Sequence, residues 1–196
     1  MGRFTGFLIG AGFGLAFVLA NAGPPVPPPV GVVLRVLAVA ALVAIVVLFG
    51  ILSRRPAPAA EAAGTGPAPL FRFGPFYGIV VLIEVALIFG GIQVLRLLEA
   101  PWQVNVAWIA LVVGLHFLPL AWYWRMREIL GAALYISALG TAGLVMAGLG
   151  AVEWIPFVSG TVTGLGMLAG ILAGLVGMLR ASRADGAPAA GTAPAP

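Results

Sequence analysis

Long runs of apolar residues, separated by short polar segments, set the pattern of this 196-residue chain. Each of six runs is close to the roughly 20 residues that a helix needs to cross a bilayer. The runs are too long and too continuously apolar for the alternating strands of a membrane barrel. We therefore predict an all-α, polytopic membrane helix bundle with six transmembrane helices. The predicted spans are residues 4–21, 30–52, 76–98, 102–123, 129–150 and 155–179.

Two segments break this pattern. Residues 53–69, in the second loop, are rich in Ala, Pro and Gly, which predicts a flexible cytoplasmic linker. Residues 181–196 have no apolar periodicity, which predicts a disordered cytoplasmic tail. Residues 1–180 then form one transmembrane domain.

Composition supports the bilayer as the main partner of this chain. Hydrophobic residues make up 62% of it and charged residues 8%, against about 25% charged residues in a soluble domain. The chain has no Cys and one His, which argues against disulfides, thiolate sites and a His-based metal centre. We expect no metal, no cofactor and no catalytic motif. The net charge of +4 is explained by arginines at helix ends, so we expect no nucleic-acid partner.

The arginines also predict the orientation. Cytoplasmic loops of membrane proteins carry an excess of basic residues, and with six crossings most arginines fall on one side. The other side has a Pro-rich turn, the Arg96–Glu99 turn and Glu153. Both termini are therefore predicted to be cytoplasmic. The arginines on the predicted cytoplasmic side are Arg3, Arg54, Arg55, Arg72, Arg125, Arg127, Arg180 and Arg183.

The first span has a second interpretation. Arg3, the apolar run after it and Ala20-Asn21-Ala22 resemble a signal peptide with its cleavage site. Cleavage would remove residues 1–22 and leave five spans. Against cleavage, Gly residues recur every fourth position and form a smooth face on which another helix can pack.

Similar glycine faces are predicted to hold the bundle together. The first span has Gly6, Gly10 and Gly14 in register, and the last has the row Gly166, Gly170 and Gly174 besides the step from Gly160 to Gly164. Close backbone approach supplies much of the attraction between helices in lipid. Two uses stay open, packing within one bundle and an interface with a second copy or another membrane protein.

One acid and one imidazole lie inside the predicted membrane segments. Glu84, in the third span, and His116, in the fourth, are equally far in sequence from Ala100, at the centre of the intervening turn. Pro101 suits the first position of the next helix. An antiparallel hairpin would therefore place both side chains at one depth, about 12 Å from the cytoplasmic end. An isolated charge at that depth costs several kcal/mol, so we predict that the two side chains pair.

Further polar residues extend this candidate site. Tyr135 and Ser137 of the fifth span reach a similar depth. Asn105, His116 and Tyr123 fall within about 20° of one another around the fourth helix. Pro119 cannot donate a hydrogen bond to the carbonyl of Leu115, which predicts a kink beside His116.

Three functions are compatible with these residues. The first is a small transporter or proton-linked membrane protein that uses the Glu–His pair, since His is the side chain most easily switched near neutral pH. The second is a non-catalytic structural or accessory subunit, in which the pair only locks two helices together. The third, an intramembrane enzyme, is the weakest, because the sequence shows no phosphate-binding loop, metal-ligand cluster or catalytic triad. The substrate is not specified by the sequence.

The stretch Gly114-Leu115-His116-Phe117-Leu118-Pro119-Leu120-Ala121 resembles a segment of small, uncharacterised bacterial multi-pass membrane proteins, and Glu84 upstream fits that family. The resemblance covers the third to fifth spans. It implies a bacterial membrane protein and brings no known activity.

Overall fold

The computed structural model describes residues 5–54 and 74–184, and it is helical almost throughout. The all-α prediction is confirmed. Most of the predicted linker and the tail from residue 185 lie outside the described residues. The six α-helices of the described residues are α1 (Thr5–Asn21), α2 (Pro28–Ser53), α3 (Pro75–Leu97), α4 (Gln103–Trp124), α5 (Arg127–Gly148) and α6 (Thr163–Ala184).

Five helical stretches within the described residues are long and apolar enough to cross a membrane. The fifth is continuous from Val152 to Ser182 and includes most of α6. The remaining helix, α1, has 17 residues and falls just short of these lengths. The predicted spans therefore agree with the helices within a few residues, and five of the six are shown to have the length and composition of a crossing.

Prolines and a left-handed residue define several helix ends. Proline occupies the first turn of both α2 and α3, where its missing N–H costs nothing. Helix α4 ends at Arg125, which has a φ of 55°. Helix α6 continues to Ala184 and so includes the first four residues that the sequence assigned to the tail. Alanines favour helix there, and arginines stabilise a helix C-terminus.

The helices form two groups of three. Helices α1, α2 and α6 share a core around Ala11, Val18, Ala38, Ile45 and Leu175. Helices α4 and α5 pack most extensively of all pairs, and α3 lies mainly against α4. The start of the last membrane segment touches α1, α4 and α5 and so joins the two groups. A second core at the junction contains Phe17, Ala110, Val113, Ile136 and Met167.

Helices α4 and α5 approach closely because glycines face backbone across their interface. A Cβ at Gly140 would strike the backbone of Leu111, and one at Gly114 would strike Ser137. Gly143 likewise leaves room for Ser159. These contacts run in opposite directions along the two helices, so α4 and α5 are antiparallel neighbours.

Helices α1 and α6 cross where Gly14 meets Gly164. A Cβ on Gly164 would strike the carbonyl oxygen of Gly14, and one on Gly10 would lie 3.1 Å from Ile171. Gly170 and Gly174 of the predicted row do not pack within the bundle, because an added Cβ meets nothing within 4 Å there. The other use of this row, an interface with a second copy, stays a prediction. At about 100° per residue, the glycines of this row lie about 80° to 160° around α6 from Gly164, so the row is on another face of the helix. The effective face is the step from Gly160 to Gly164.

The last membrane segment does not begin as a regular α-helix. A 3₁₀ turn spans Val152–Trp154 and a π-helical segment spans Pro156–Val162 before α6 starts. The π segment and the first residue of α6 are unusually polar for a buried position, since Ser159, Thr161 and Thr163 are fully buried. π-helical turns are rare and occur frequently at functional sites.

Candidate functional site

The α3–α4 hairpin brings the predicted acid and imidazole together. His116 Nδ1 lies 3.0 Å from Glu84 Oε1, and the two side chains are 10% and 15% exposed. The hairpin is closed near the ends of the helices by aromatic contacts. The rings of Phe76 and Tyr123 are 4.6 Å apart, and Tyr77 stacks on Trp124. The prediction that the Glu84 and His116 side chains contact each other is therefore confirmed.

A second oxygen determines which imidazole nitrogen carries the hydrogen. His116 Nδ1 also lies 2.6 Å from the carbonyl oxygen of Val113, one turn earlier on α4. A carbonyl can only accept a hydrogen bond, so a lone pair on Nδ1 would face it unfavourably. We therefore assign the hydrogen to Nδ1, shared between the Val113 carbonyl and the Glu84 carboxylate. Nε2 is then the ring nitrogen without a hydrogen.

A tryptophan fixes the position of α3 on α4 near this pair. The Trp108 indole nitrogen, on α4, donates a 2.9 Å hydrogen bond to the carbonyl oxygen of Leu87 on α3. Gly91 makes this possible, because a Cβ there would overlap the Trp108 ring. Sequence analysis missed this contact, although a glycine and a tryptophan facing each other across a hairpin are a recognisable signal.

The other residues of the predicted stripe on α4 lie apart from the pair. Asn105 is three turns from His116, about 16 Å along the helix. Tyr123 is two turns away and contacts Phe76. Helix α4 runs without interruption through Pro119, and the kink predicted there stays a prediction.

Tyr135 and Ser137 face other neighbours. The Tyr135 hydroxyl donates a 2.8 Å hydrogen bond to the carbonyl oxygen of Val162 at the end of the π segment, and its ring fills the space above Gly166. Ser137 packs against Gly114. The structure therefore brings together Glu84 and His116, while Tyr135 links α5 to the last membrane segment.

The π segment concentrates buried hydroxyl groups. Ser159 Oγ donates a 2.8 Å hydrogen bond to the carbonyl oxygen of Leu139 on α5. In the described part of the chain, the hydroxyl oxygens of Ser137, Thr161 and Thr163 are buried without a hydrogen-bond partner. Orphaned hydroxyls are costly in a protein interior, so this junction concentrates polar groups whose hydrogen bonds are unmet.

A cleft of about 380 Å³ lies at the opposite end of the hairpin from the Phe76–Tyr123 contact. We call it the Trp102 cleft. Neither Glu84 nor His116 lines it. Of the polar residues at this end of the hairpin, Gln103 lines the cleft, whereas Gln93, Arg96 and Glu99 do not. Its lining residues are Ala20, Asn21, Gly23, Pro24, Pro25, Trp102, Gln103, Glu153 and Pro156.

Arg35 lies near the end of the bundle that contains the Trp102 cleft, and it bonds to the backbone of α1. Its Nε donates a 3.3 Å hydrogen bond to the carbonyl oxygen of Leu19 near the C-terminus of α1. A cation there is stabilised by the helix dipole. Within residues 5–54 and 74–184, no group of three or more His, Asp or Glu comes together that could hold a metal ion.

Within the described residues, the geometry therefore offers the Glu84–His116 pair and the Trp102 cleft as places where chemistry can occur. The family resemblance expected from the segment around His116 stays a prediction. In comparisons with known proteins, no family model, curated protein or solved structure matches this chain.

Proposed function

We propose that this chain is a bacterial inner-membrane protein whose six helices all cross the bilayer, with both termini in the cytoplasm. The antiparallel order of the helices supports this orientation, because Arg54, Arg125, Arg127 and Arg180 fall at one end of the bundle. An excess of basic residues is typical of the cytoplasmic side. Since α1 supplies Ala11 and Val18 to the core, the proposal retains α1 as a structural helix.

The proposed activity is proton-linked transport through the pair formed by Glu84 and His116. The observation that carries it is the 3.0 Å contact between a carboxylate and an imidazole on helices of membrane-spanning length. Ionisable residues at membrane depth are rare and mark proton and substrate pathways. Protonation of Nε2 gives an imidazolium that stays paired with Glu84 through Nδ1–H. Release of the Nε2 proton restores a neutral ring beside the carboxylate.

A flux measurement tests this activity. The full chain is reconstituted in liposomes that contain a fluorescent pH indicator, and a pH gradient is imposed across the membrane. We expect the protein to accelerate proton movement and Glu84→Gln to abolish the acceleration. His116→Asn should abolish it too, because the Asn amide can replace the Nδ1 donor but cannot take up a proton.

Glu99→Gln is the matched control, since Glu99 is exposed in the turn between α3 and α4 and does not touch the pair. Its flux should equal that of the unmodified protein. Transport would be refuted if the unmodified protein moved protons no faster than empty liposomes, or if Glu84→Gln were fully active.

A structural or accessory subunit is the second candidate. The peripheral position of α3 favours it, because α3 lies mainly against α4 and the pair joins these two helices. This function predicts no flux from the unmodified protein and a loss of stability when the pair is broken. Flux and thermal unfolding, measured on the same variants, separate the two candidates.

A further inference from the structure

The Trp102 cleft presents hydrogen-bond acceptors and one negative charge. Among its described lining residues, Glu153 alone carries a formal charge. The Asn21 amide nitrogen donates a 2.8 Å hydrogen bond to the carbonyl oxygen of Phe17 with one of its two hydrogens, and its amide oxygen is a further acceptor. Ala20 adds a backbone carbonyl whose helical donor would be residue 24, a proline without an N–H.

Backbone donors beside the cleft are already engaged, whereas the Trp102 indole and the Gln103 amide keep their side-chain donors in the lining. The first amides of α4 bond within their own turn, Val104 to the carbonyl of Pro101 and Asn105 to that of Trp102. They are therefore not aimed at an anion in the cleft. Arg35 approaches Gly23, but it is not part of the lining and its Nε is bonded to Leu19.

The walls of the cleft suit a cation with alkyl groups around its charge, such as an alkylated ammonium ion. The Trp102 side chain is 64% exposed, and three prolines complete the lining. Cations bind the faces of indole rings, and this is how proteins recognise alkylated ammonium groups. The volume is within the range of small-molecule sites, which begins near 300 Å³.

We propose that the Trp102 cleft binds the ammonium group of a small organic cation, with Glu153 as the counter-charge and Trp102 as the aromatic wall. The same group is carried by free amines and by the headgroups of amine-bearing lipids. The site is remote from the Glu84–His116 pair, and the proposal does not rest on proton-linked transport.

Calorimetric titration of the full chain in a neutral sugar detergent tests the site with choline as the probe. We expect saturable binding, and about tenfold weaker binding for Glu153→Gln and for Trp102→Leu. Both residues are exposed, so these variants should elute and unfold like the unmodified protein. Glu99→Gln, at the same end but outside the lining, should bind normally.

Dimethylbutanol, the neutral carbon isostere of choline, separates charge recognition from apolar binding and should bind at least about tenfold more weakly. Equal binding of the isostere, unchanged binding by Glu153→Gln, or no binding of choline to the unmodified protein would each overturn the proposal.

Nanodiscs then identify the source of the ammonium group. Because anionic lipids concentrate cations at the surface, the comparison lipid is an uncharged glycolipid rather than phosphatidylglycerol. If choline binds more weakly in phosphatidylethanolamine than in the glycolipid, a lipid headgroup occupies the cleft. If it binds equally in both, the ligand is a free cation. Because no pH gradient is used, failure of this test leaves the flux experiment unaffected, and the reverse is also true.

Discussion

Glu84 and His116 are joined across two antiparallel helices by a 3.0 Å contact between Oε1 and Nδ1. Each lies about 12 to 14 Å from the end of its helix that carries the Phe76–Tyr123 contact. The carboxylate and the imidazole therefore compensate each other at a depth where neither is stable alone. This relationship makes the pair accessible to energetic as well as functional tests.

Substituting only Glu84 or only His116 should lower the free energy of unfolding by more than the additive contribution of that residue to the double variant. Glu84→Ala leaves the imidazole without its partner in an apolar interface. His116→Ala leaves the carboxylate without its partner in the same way. A double-mutant cycle on the free energy of unfolding in detergent should give a coupling energy of about 0.5 to 3 kcal/mol. Strictly additive effects of the two substitutions would show that the contact contributes nothing to stability.

The space beside Gly91, which the Trp108 ring fills, should control how α3 packs on α4. Gly91→Ala places a methyl group where the Trp108 ring lies and disrupts its bond to Leu87. The neighbouring Gly90 has open space around it, so Gly90→Ala is the matched control. We expect the melting temperature of Gly91→Ala to fall well below that of Gly90→Ala. Equal melting temperatures would mean that the indole can move aside without loss.

The crossing of α1 and α6 should depend on Gly164. Gly164→Ala would push against the carbonyl of Gly14, and overpacking of this kind costs about 1 to 3 kcal/mol. Gly170→Ala, on the same helix, adds a methyl group in open space and should be neutral. Unfolding free energies of the two variants check this, and a neutral Gly164→Ala would contradict the crossing.

The hydrogen bond from Tyr135 to Val162 should contribute measurably to the π segment. Tyr135→Phe removes this 2.8 Å bond and leaves the ring in place, at an expected cost of about 0.6 to 1.5 kcal/mol. Tyr123→Phe should retain the ring contact with Phe76 and serves as the comparison. If both variants unfold at the same temperature, the Tyr135 hydroxyl is not a structural contact.

The proposed orientation can be mapped without background, because the chain has no Cys. Ser53→Cys, at the end of α2, should be labelled by a membrane-impermeant thiol reagent only when the cytoplasmic side is open. Glu99→Cys should be labelled in intact cells. The opposite pattern would invert the topology, and labelling of both from one side would remove a crossing.

Much of the fold could be predicted because apolar runs of this length have few alternatives. Helix ends followed from local signals such as the prolines that begin α2 and α3. The Glu84–His116 contact was also predictable, since a short turn fixes which residues of a hairpin lie at one depth. The register depends only on sequence separation from the turn.

Other features depend on how distant segments meet. The π segment is not distinguished from an apolar helix by periodicity. The row at Gly170 and Gly174 lies apart from the contact with α1 because it is on a different face of α6 from Gly164. Tyr135 was expected near the pair from its depth alone, but its direction around α5 takes it to Val162. The Trp102 cleft is formed by three separate turns, which no local pattern connects.

The weak attachment of α3 has a consequence for how Glu84 could reach a different environment. Val80 is the one buried residue of this helix, and its principal neighbour is α4. A tilt of α3 alone would separate Glu84 from His116 while the other five described helices kept their positions. Exchange of a proton would then require displacement at the rim of the bundle and no pore through its centre.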